Sequence, residues 1–441
     1  MGEGCKMVNI RLSTITVPKE PGPTLKKLPF DVKFIALLLI SFVIGLVVGY
    51  AIFSPGLGGG AAPTPEKTVY NIGFTLPLSG ELSSIGKIWE KVVQIAIEDL
   101  NSEAAAYGFN VEFRSVILDD ATSDEKALQN VQSLYQQGIK VIIGPAASSQ
   151  VKVVKSYADN NKIVIISPSS TSPTLAIPND YIFRTVGSDA GQAKALSTLA
   201  YQEGARKLIV FFRNDEYGKA FADFLEQNFK EKGITVSKLP YQTGLSDYAS
   251  EVATLASRVG SEGADSVILI AFDTDGANII SHAAESDVLS NVRWFISEGP
   301  HGAGELLTST VGRFASRVRL YGTRPLYIGN PLYEDLFNRV KSRFGIELGV
   351  FCEHLYDAIK LAGWAILRAG EYDGEAIRNA LVEVAKTYYG PSGWTMFDVA
   401  GDKAQQDYGV WAIVSTAEGY KFKDVGVFER GSIIFTEQAY P

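Results

Sequence analysis

Cysteine and histidine are scarce in this chain of 441 residues, which has two cysteines, Cys5 and Cys352, and three histidines. Two cysteines cannot form a disulfide framework, and so few sulfur and imidazole ligands argue against a zinc cluster. Basic residues are not in surplus either, because 41 Lys and Arg stand against 49 Asp and Glu for a formal charge of −8. A nucleic-acid partner favours the opposite balance. The composition therefore predicts no metal, no cofactor and no nucleic-acid partner.

Familiar catalytic motifs are also missing. The stretch Gly80–Lys87 superficially resembles a phosphate loop, but five residues separate its two glycines and Ile88 follows the lysine, so the required spacing is broken. Cys352 and His354 lie two residues apart in a helical pattern, which points their side chains away from each other. No G-x-S-x-G nucleophile elbow occurs. We therefore expect no catalytic residues and no enzymatic activity.

One long uncharged run, Phe34–Phe53, stands out from an otherwise ordinary folded composition. A helix of 20 residues spans a ~30 Å hydrocarbon core, and Lys and Arg outnumber Asp and Glu in residues 1–33. This pattern predicts a cytoplasmic segment 1–33, a transmembrane anchor 34–53 and a Gly/Pro-rich tether 54–67, with the rest of the chain outside the cell membrane. The alternative is a cleaved signal peptide, with a cleavage site near Ala61, that would release a secreted form.

Beyond the tether, short apolar runs alternate with amphipathic stretches of helical length. The predicted strands are Val69–Leu76, Val111–Leu118, Val141–Gly144, Ile163–Ser167, Lys207–Phe212, Ser266–Ala271 and Arg293–Ser297. Such alternation is typical of parallel sheets covered by helices on both faces, and the strands are too many for one sheet. We predict an α/β fold of two Rossmann-like lobes with parallel central sheets.

Ligands of open parallel sheets bind beyond the carboxyl ends of the strands, so the residues that follow each strand are the site candidates. Small hydroxyl residues follow two strands of the first lobe: Ser148 after one, and Ser169, Ser170 and Thr171 after the next. At a helix N-terminus such residues favour an anion, and the absence of Arg and Lys favours a small carboxylate over a phosphate-rich nucleotide. Ordinary helix capping by these hydroxyl groups is the alternative.

In the second lobe the strand ends carry different chemistry. Tyr217 lies at a helix start, Phe272 follows an apolar strand and Glu298 ends another. A carboxylate suits an ammonium group, and the two aromatic rings suit an apolar side chain. Together with the hydroxyl clusters, these residues predict a zwitterion with an apolar tail, held between the lobes. Core packing for the rings and a solvated turn for Glu298 are the alternatives.

Eight segments in the same order resemble one family: PLSG, AIEDLN, LDD, GIKVIIGPAASS, ISPSSTSPTL, FRTVGSD, NDEYGKAFAD and GPSGWTMFDVAGD. They resemble the solute-binding proteins of branched-chain amino-acid ABC transporters, the leucine/isoleucine/valine-binding type with the type I periplasmic-binding-protein fold. The resemblance runs from about Val69 to the end of the chain. It implies capture of an aliphatic amino acid and delivery to ABC permease subunits with their ATPases. A membrane-tethered nutrient sensor, or a binder of amides, ureas or small carboxylates, is the alternative.

The resemblance also implies residue roles. Ser148, Thr171 and the backbone of Ser169 would hold the ligand carboxylate, with Ser170 beside them. Glu298 would bind the ammonium group, and Tyr217 and Phe272 would close over the ligand. Trp89 and Tyr356 are possible pocket walls. Ile85 stands near the position of a tyrosine typical of the family, and Asp273 and Asp275 add acid near the mouth of the pocket.

The resemblance further implies three chain crossings between the lobes, which we place near 187–189, 320–324 and 398–408. Lobe 1 would then comprise residues 68–187 and 325–400. Lobe 2 would comprise residues 188–320 and 405–441.

Overall fold

The computed structural model describes residues 66–326 and 329–440. Residues Lys67–Pro441 belong to one compact unit. The predicted cytoplasmic segment, the anchor and most of the tether lie outside the described residues. Across the two described ranges, no helix has the length and apolar composition needed to span a bilayer.

The first lobe is built on five strands that all pair in parallel, in the order β2-β1-β3-β4-β5. The strands are β1 Thr68–Leu76, β2 Val111–Asp119, β3 Val141–Ile143, β4 Val164–Ser167 and β5 Ile182–Arg184. The helices between them are α1 Ser83–Ala106, α2 Asp124–Gln136 and α3 Ser148–Asn161. Each strand predicted in this region is present, within one or two residues at its ends.

Both faces of this sheet are covered, as the apolar strand sequences predict. Val141 and Ile143 belong to the apolar core shared with α1, whereas Ile142, between them, packs in a separate cluster with α2 and α3. Because successive side chains of a strand point to opposite faces, an uninterrupted apolar run is stable only with helices on both sides.

The second lobe is built on eight strands in the order β15-β14-β13-β10-β9-β8-β6-β7. The strands are β6 Leu208–Arg213, β7 Val236–Tyr241, β8 Ser266–Ile270, β9 Arg293–Ile296, β10 Tyr321–Pro325, β13 Tyr408–Thr416, β14 Gly419–Glu429 and β15 Ser432–Phe435; β11 Tyr389–Gly390 and β12 Gly393–Trp394 form a separate hairpin. The helices before β10 are α4 Asp189–Gln202, α5 Glu216–Glu231, α6 Ala249–Glu262, α7 Asp273–Ala283 and α8 Ser309–Val318.

The prediction of parallel central sheets is confirmed, but the second sheet also has an antiparallel edge that was not predicted. Strands β6 to β10 pair in parallel, but β13 joins β10 in antiparallel fashion, and β14 and β15 continue the antiparallel edge. The burial of β14 alternates between exposed and half-buried residues over much of its length. An edge hairpin of this kind has one wet face, so it lacks the apolar run that reveals a buried parallel strand.

The chain passes between the sheets three times. The first passage follows β5 and ends at α4. The second follows β10, after which α9 Pro331–Phe344, α10 Cys352–Ala369 and α11 Gly374–Ala385 pack on the first lobe. The third precedes β13. The crossing predicted at 320–324 thus lies mostly within β10, which belongs to the second sheet.

Candidate functional site

A small cavity of about 30 Å³ lies between the carboxyl ends of the strands of the two lobes. Its polar lining residues are Ser148 and Ser169 from the first lobe and Tyr217 and Glu298 from the second. Its apolar lining consists of Leu82, Ile85, Ala146, Ala147, Phe272, Val350 and Phe351, and Gly299 completes it. Five of the sequence-predicted site residues, from both lobes, therefore meet at one place.

On the hydroxyl side of the cavity, both serine side chains form hydrogen bonds with the backbone. Ser148 is the first residue of α3, and its Oγ accepts hydrogen bonds from the backbone N–H groups of Thr171 and Ser172, each at 3.2 Å. Ser169 Oγ donates to the carbonyl of Ala146 at 2.8 Å. The positive end of the α3 dipole is close to this corner, so an anionic group is favoured there.

Ser170 and Thr171 support this corner without lining the cavity. Both are buried, and Ser170 N–H donates to Ser167 Oγ at 3.1 Å. The Thr171 carbonyl accepts from the N–H of Asp189, which ties the loop to the first passage between the lobes. The two residues stay predictions as direct ligand contacts.

Glu298 is the polar centre of the opposite side. It is buried, and its two carboxylate oxygens accept hydrogen bonds from Tyr217 OH at 2.8 Å and from Gln192 Nε2 at 2.6 Å. No Lys, Arg or His of the described ranges forms an ion pair with it. Burial raises the pKa of Glu298 to about 7, while the hydrogen bonds from Tyr217 and Gln192 act in the opposite direction. A cation in the cavity would restore its charge.

Asp189 is a second buried carboxylate beside Glu298 that the sequence reasoning missed. Neither of its carboxylate oxygens has a hydrogen-bond partner among the described residues. Burial, followed by the nearby Glu298 carboxylate, raises the pKa of Asp189 well above its usual range. Its position at the start of α4, in the segment FRTVGSD, was the available signal. The Thr171 hydroxyl and the Arg184 guanidinium lower the pKa of Asp189 in part, whereas Glu298 forms no ion pair with a described residue, so a positive charge in the cavity would be stabilised next to Glu298.

The aromatic residues form the wall next to Glu298. The rings of Tyr217 and Phe272 are stacked, with centroids 5.5 Å apart and planes 19° apart. The buried Arg213 guanidinium lies 3.7 Å from the Phe272 centroid. Gly299 is required behind this wall, because a Cβ there would lie 2.2 Å from the carbonyl oxygen of Ala271.

Two predicted wall residues do not line the cavity. Trp89 is fully buried in the core of the first lobe, and its Nε1 donates to the carbonyl of Val350 at 3.4 Å. Tyr356 donates to Asp99 at 2.7 Å and lines a separate cavity beside α10. Trp89 thus supports the wall from behind, whereas Tyr356 belongs to another surface.

Of the two acidic residues predicted near the mouth of the pocket, Asp273 and Asp275, the second is neutralised by an arginine. Asp275 is buried and forms an ion pair with Arg213, and it also accepts from Tyr241 OH at 2.7 Å. Asp273 is buried at the start of α7 and lines neighbouring cavities. Ile85, in contrast, does line the ligand cavity, so the wall has an isoleucine where a tyrosine is typical of the resembling family.

Contacts between the lobes close the cavity. Lys152 on α3 pairs with Glu216 on α5 at 2.7 Å, and Arg213 pairs with Glu81 at 2.8 Å. Thr274 Oγ1 donates to the Glu81 carbonyl at 2.8 Å. The structure is therefore the closed form of a hinged pair of lobes. An enclosed cavity of this kind, with hydroxyls on one lobe and carboxylates on the other, defines a two-lobed solute-binding protein.

Comparison with known proteins agrees with this class. Residues 69–418 match the periplasmic binding protein family, so the chain belongs to that family. An uncharacterized protein of Methanocaldococcus jannaschii is 27% identical over 383 residues, covering 82% of this chain and 90% of that protein. The leucine-, isoleucine-, valine-, threonine-, and alanine-binding protein of Pseudomonas aeruginosa is 24% identical, covering 80% and 92%.

Among solved structures, an ABC-transporter solute binding protein of Rhodopseudomonas palustris in complex with 3,4-dihydroxybenzoic acid superimposes with a TM-score of 0.69. It is 16% identical, and the match covers 84% of this chain and 98% of that one. At this identity the likeness shows the fold alone. The two-lobed α/β architecture predicted from the sequence is confirmed.

Proposed function

We propose that this protein captures an amino acid with an aliphatic side chain in the cavity between its lobes and delivers it to the permease of an ABC transporter. The observation that carries the proposal is the buried Glu298 carboxylate in the cavity wall, which forms no ion pair with a described residue and has a second buried carboxylate, Asp189, beside it. An α-ammonium group would satisfy both charge and hydrogen bonding there. The named Pseudomonas relative binds five small amino acids, which supports the same class of ligand.

The remaining groups of the cavity fit the rest of such a ligand. Ser148, at the N-terminus of α3, and Ser169, in the loop after β4, suit a carboxylate. Leu82, Ile85 and Val350 suit an aliphatic side chain, because burying apolar surface stabilises the complex by about 25 cal/mol per Å². An aromatic acid such as 3,4-dihydroxybenzoic acid would meet the hydroxyl corner but would offer no cation to Glu298, which would then have to remain protonated.

Closure follows from where these groups lie. The serine corner, which would bind the ligand carboxylate, is on the first lobe, and Glu298, which would bind the ligand ammonium group, is on the second. A ligand that contacts both lobes stabilises the closed form by its differential affinity for that form. We further propose that the anchor 34–53 keeps the protein at the outer face of the membrane, where the closed form would be recognised by the permease. No catalytic step is part of this proposal.

Calorimetric titration of the segment 66–441 tests the ligand class. The panel contains leucine, isoleucine, valine, alanine, glutamate, lysine and 3,4-dihydroxybenzoate. We expect binding of at least one aliphatic amino acid and its loss in Glu298→Gln, with Glu418→Gln on an exposed hairpin as the matched control. Tight binding of the aromatic acid that is indifferent to Glu298→Gln would refute the proposal.

A further inference from the structure

An exposed aromatic cluster lies at the end of the first lobe that is remote from the cavity. It consists of Tyr107, Phe109 and Trp364, and we call it the basal cluster. Tyr107 is 74% exposed and Phe109 is 41% exposed. Their rings meet Trp364 edge-on, with centroids 5.5 Å and 6.4 Å away. The helix α1 has 24 residues and runs from the cavity to Tyr107, a length of about 36 Å.

The chain enters the folded unit beside this cluster. The N–H of Thr68, at the start of β1, donates to the carbonyl of Asn110 at 3.1 Å, next to Phe109 in sequence. The fourteen-residue tether predicted at 54–67 therefore ends at the basal cluster. Fourteen residues reach at most about 50 Å even when fully extended. A bilayer to which residues 34–53 are anchored would therefore lie within that distance of this end of the lobe.

The chemistry of the cluster fits a membrane surface. Tyr and Trp are enriched where hydrocarbon meets headgroups, because their rings are apolar and each carries a polar group. Arg368 lies one helical turn beyond Trp364 on α10, is exposed, and forms no ion pair within the described part of the chain. A guanidinium beside aromatic rings can bind a phosphate headgroup while its stem covers apolar surface.

We propose that the basal cluster docks on the lipid bilayer to which the chain is anchored, with Arg368 at the anionic headgroups. This inference rests on the anchored form of the proposed function. A tether of this length turns docking into an intramolecular step with an effective concentration in the millimolar range, so three side chains suffice for a populated contact. Docking by this end points the cavity away from the bilayer, toward the solution from which solute is captured.

The test uses the full chain in vesicles of equal parts phosphatidylcholine and phosphatidylglycerol that carry a lipid-borne spin-label quencher. Cys5→Ser removes the one cysteine other than Cys352, which is buried. A fluorophore is then attached through Ala106→Cys, exposed at the end of α1, or through the matched Ala417→Cys, exposed on a hairpin of the second lobe. We expect quenching of the first probe and none of the second.

The double substitution Tyr107→Ser with Phe109→Ser separates docking from mere proximity. It should abolish quenching of the Ala106→Cys probe. It should leave amino-acid binding unchanged, because both residues are remote from the cavity. An unchanged thermal unfolding curve shows that the fold is intact. Quenching that persists in the double variant would overturn the proposal. A chain that floats with the vesicles but has an unquenched Ala106→Cys probe would overturn the docking alone, whereas a chain that does not float would overturn the anchor as well.

Discussion

Replacing Glu298 by glutamine should stabilise the ligand-free protein while it destroys binding. Glutamine is close in shape to the protonated acid, so it removes the cost of an ionised buried carboxylate. The hydrogen bond from Tyr217 can be kept, and Gln192 Oε1, which has no partner among the described residues, can accept from the new amide after a flip. That flip gives up the 3.1 Å bond from Gln192 Nε2 to the Thr323 carbonyl.

The size of the gain follows from the raised pKa of Glu298, about 7 against an ordinary value of 4.5. Because the native state holds this proton more tightly than the unfolded state, the stability from the protonated group is present below pH 4.5 and is lost as the pH rises through 7. The full difference is about 3 kcal/mol at pH 8. The flip leaves the buried Gln192 Nε2 and the Thr323 carbonyl without partners, which costs about 1–3 kcal/mol and leaves a net gain of about 0–2 kcal/mol.

Binding should change in the opposite direction. Removing one partner of a buried, hydrogen-bonded charge pair costs about 2–5 kcal/mol, or roughly 30-fold to several thousand-fold in affinity. In the wild type, affinity for an amino acid should fall as the pH drops below about 7, because the ammonium group must then displace a proton from Glu298.

Urea unfolding of wild type and Glu298→Gln at pH 5 and pH 8, without ligand, measures the first effect, and calorimetry measures the second. The variant should gain stability over the wild type between the two pH values. A variant that loses stability and affinity together at both pH values would refute the reasoning, since it would make Glu298 a structural hydrogen-bond acceptor instead of a cation site.

Three further predictions concern other parts of the site. Ser148→Ala leaves two buried N–H groups without an acceptor, so unfolding should show a loss of about 1–3 kcal/mol that Ser102→Ala, at an exposed position of α1, does not share. Glu81→Gln weakens the bridge between the lobes by about 1 kcal/mol, so small-angle scattering without ligand should show a larger radius of gyration; an unchanged radius would mean that this bridge does not hold the lobes closed. Trp89→Ala should cost about 3–5 kcal/mol of stability, whereas Tyr356→Phe should leave the calorimetric affinity unchanged; weaker binding by Tyr356→Phe would place that residue in the ligand site after all.

Local patterns predicted most of the architecture. Strands such as β3, β4 and β8 are uninterrupted apolar runs, and residues that follow them or their neighbours, such as Ser148 and Glu298, share the edge where the cavity forms. Strand β10 is fully buried but reads YGTRP, so no apolar run predicted it. The antiparallel edge of the second sheet escaped prediction, because β14 alternates and carries few fully buried residues. Trp89 and Tyr356 were predicted as possible pocket walls, yet neither lines the cavity. A helical pattern does not say which buried ring faces a ligand.

The sequence by itself determined the fold class and which polar residues follow the strands. Those properties depend on neighbouring residues and on the period of the chain. Only the tertiary structure decided that Asp189 lies beside Glu298, that Arg213 neutralises Asp275, and that the basal cluster lies where the tether enters. These relations join residues far apart in the chain, and burial, which sets their charge states, is a property of the whole fold.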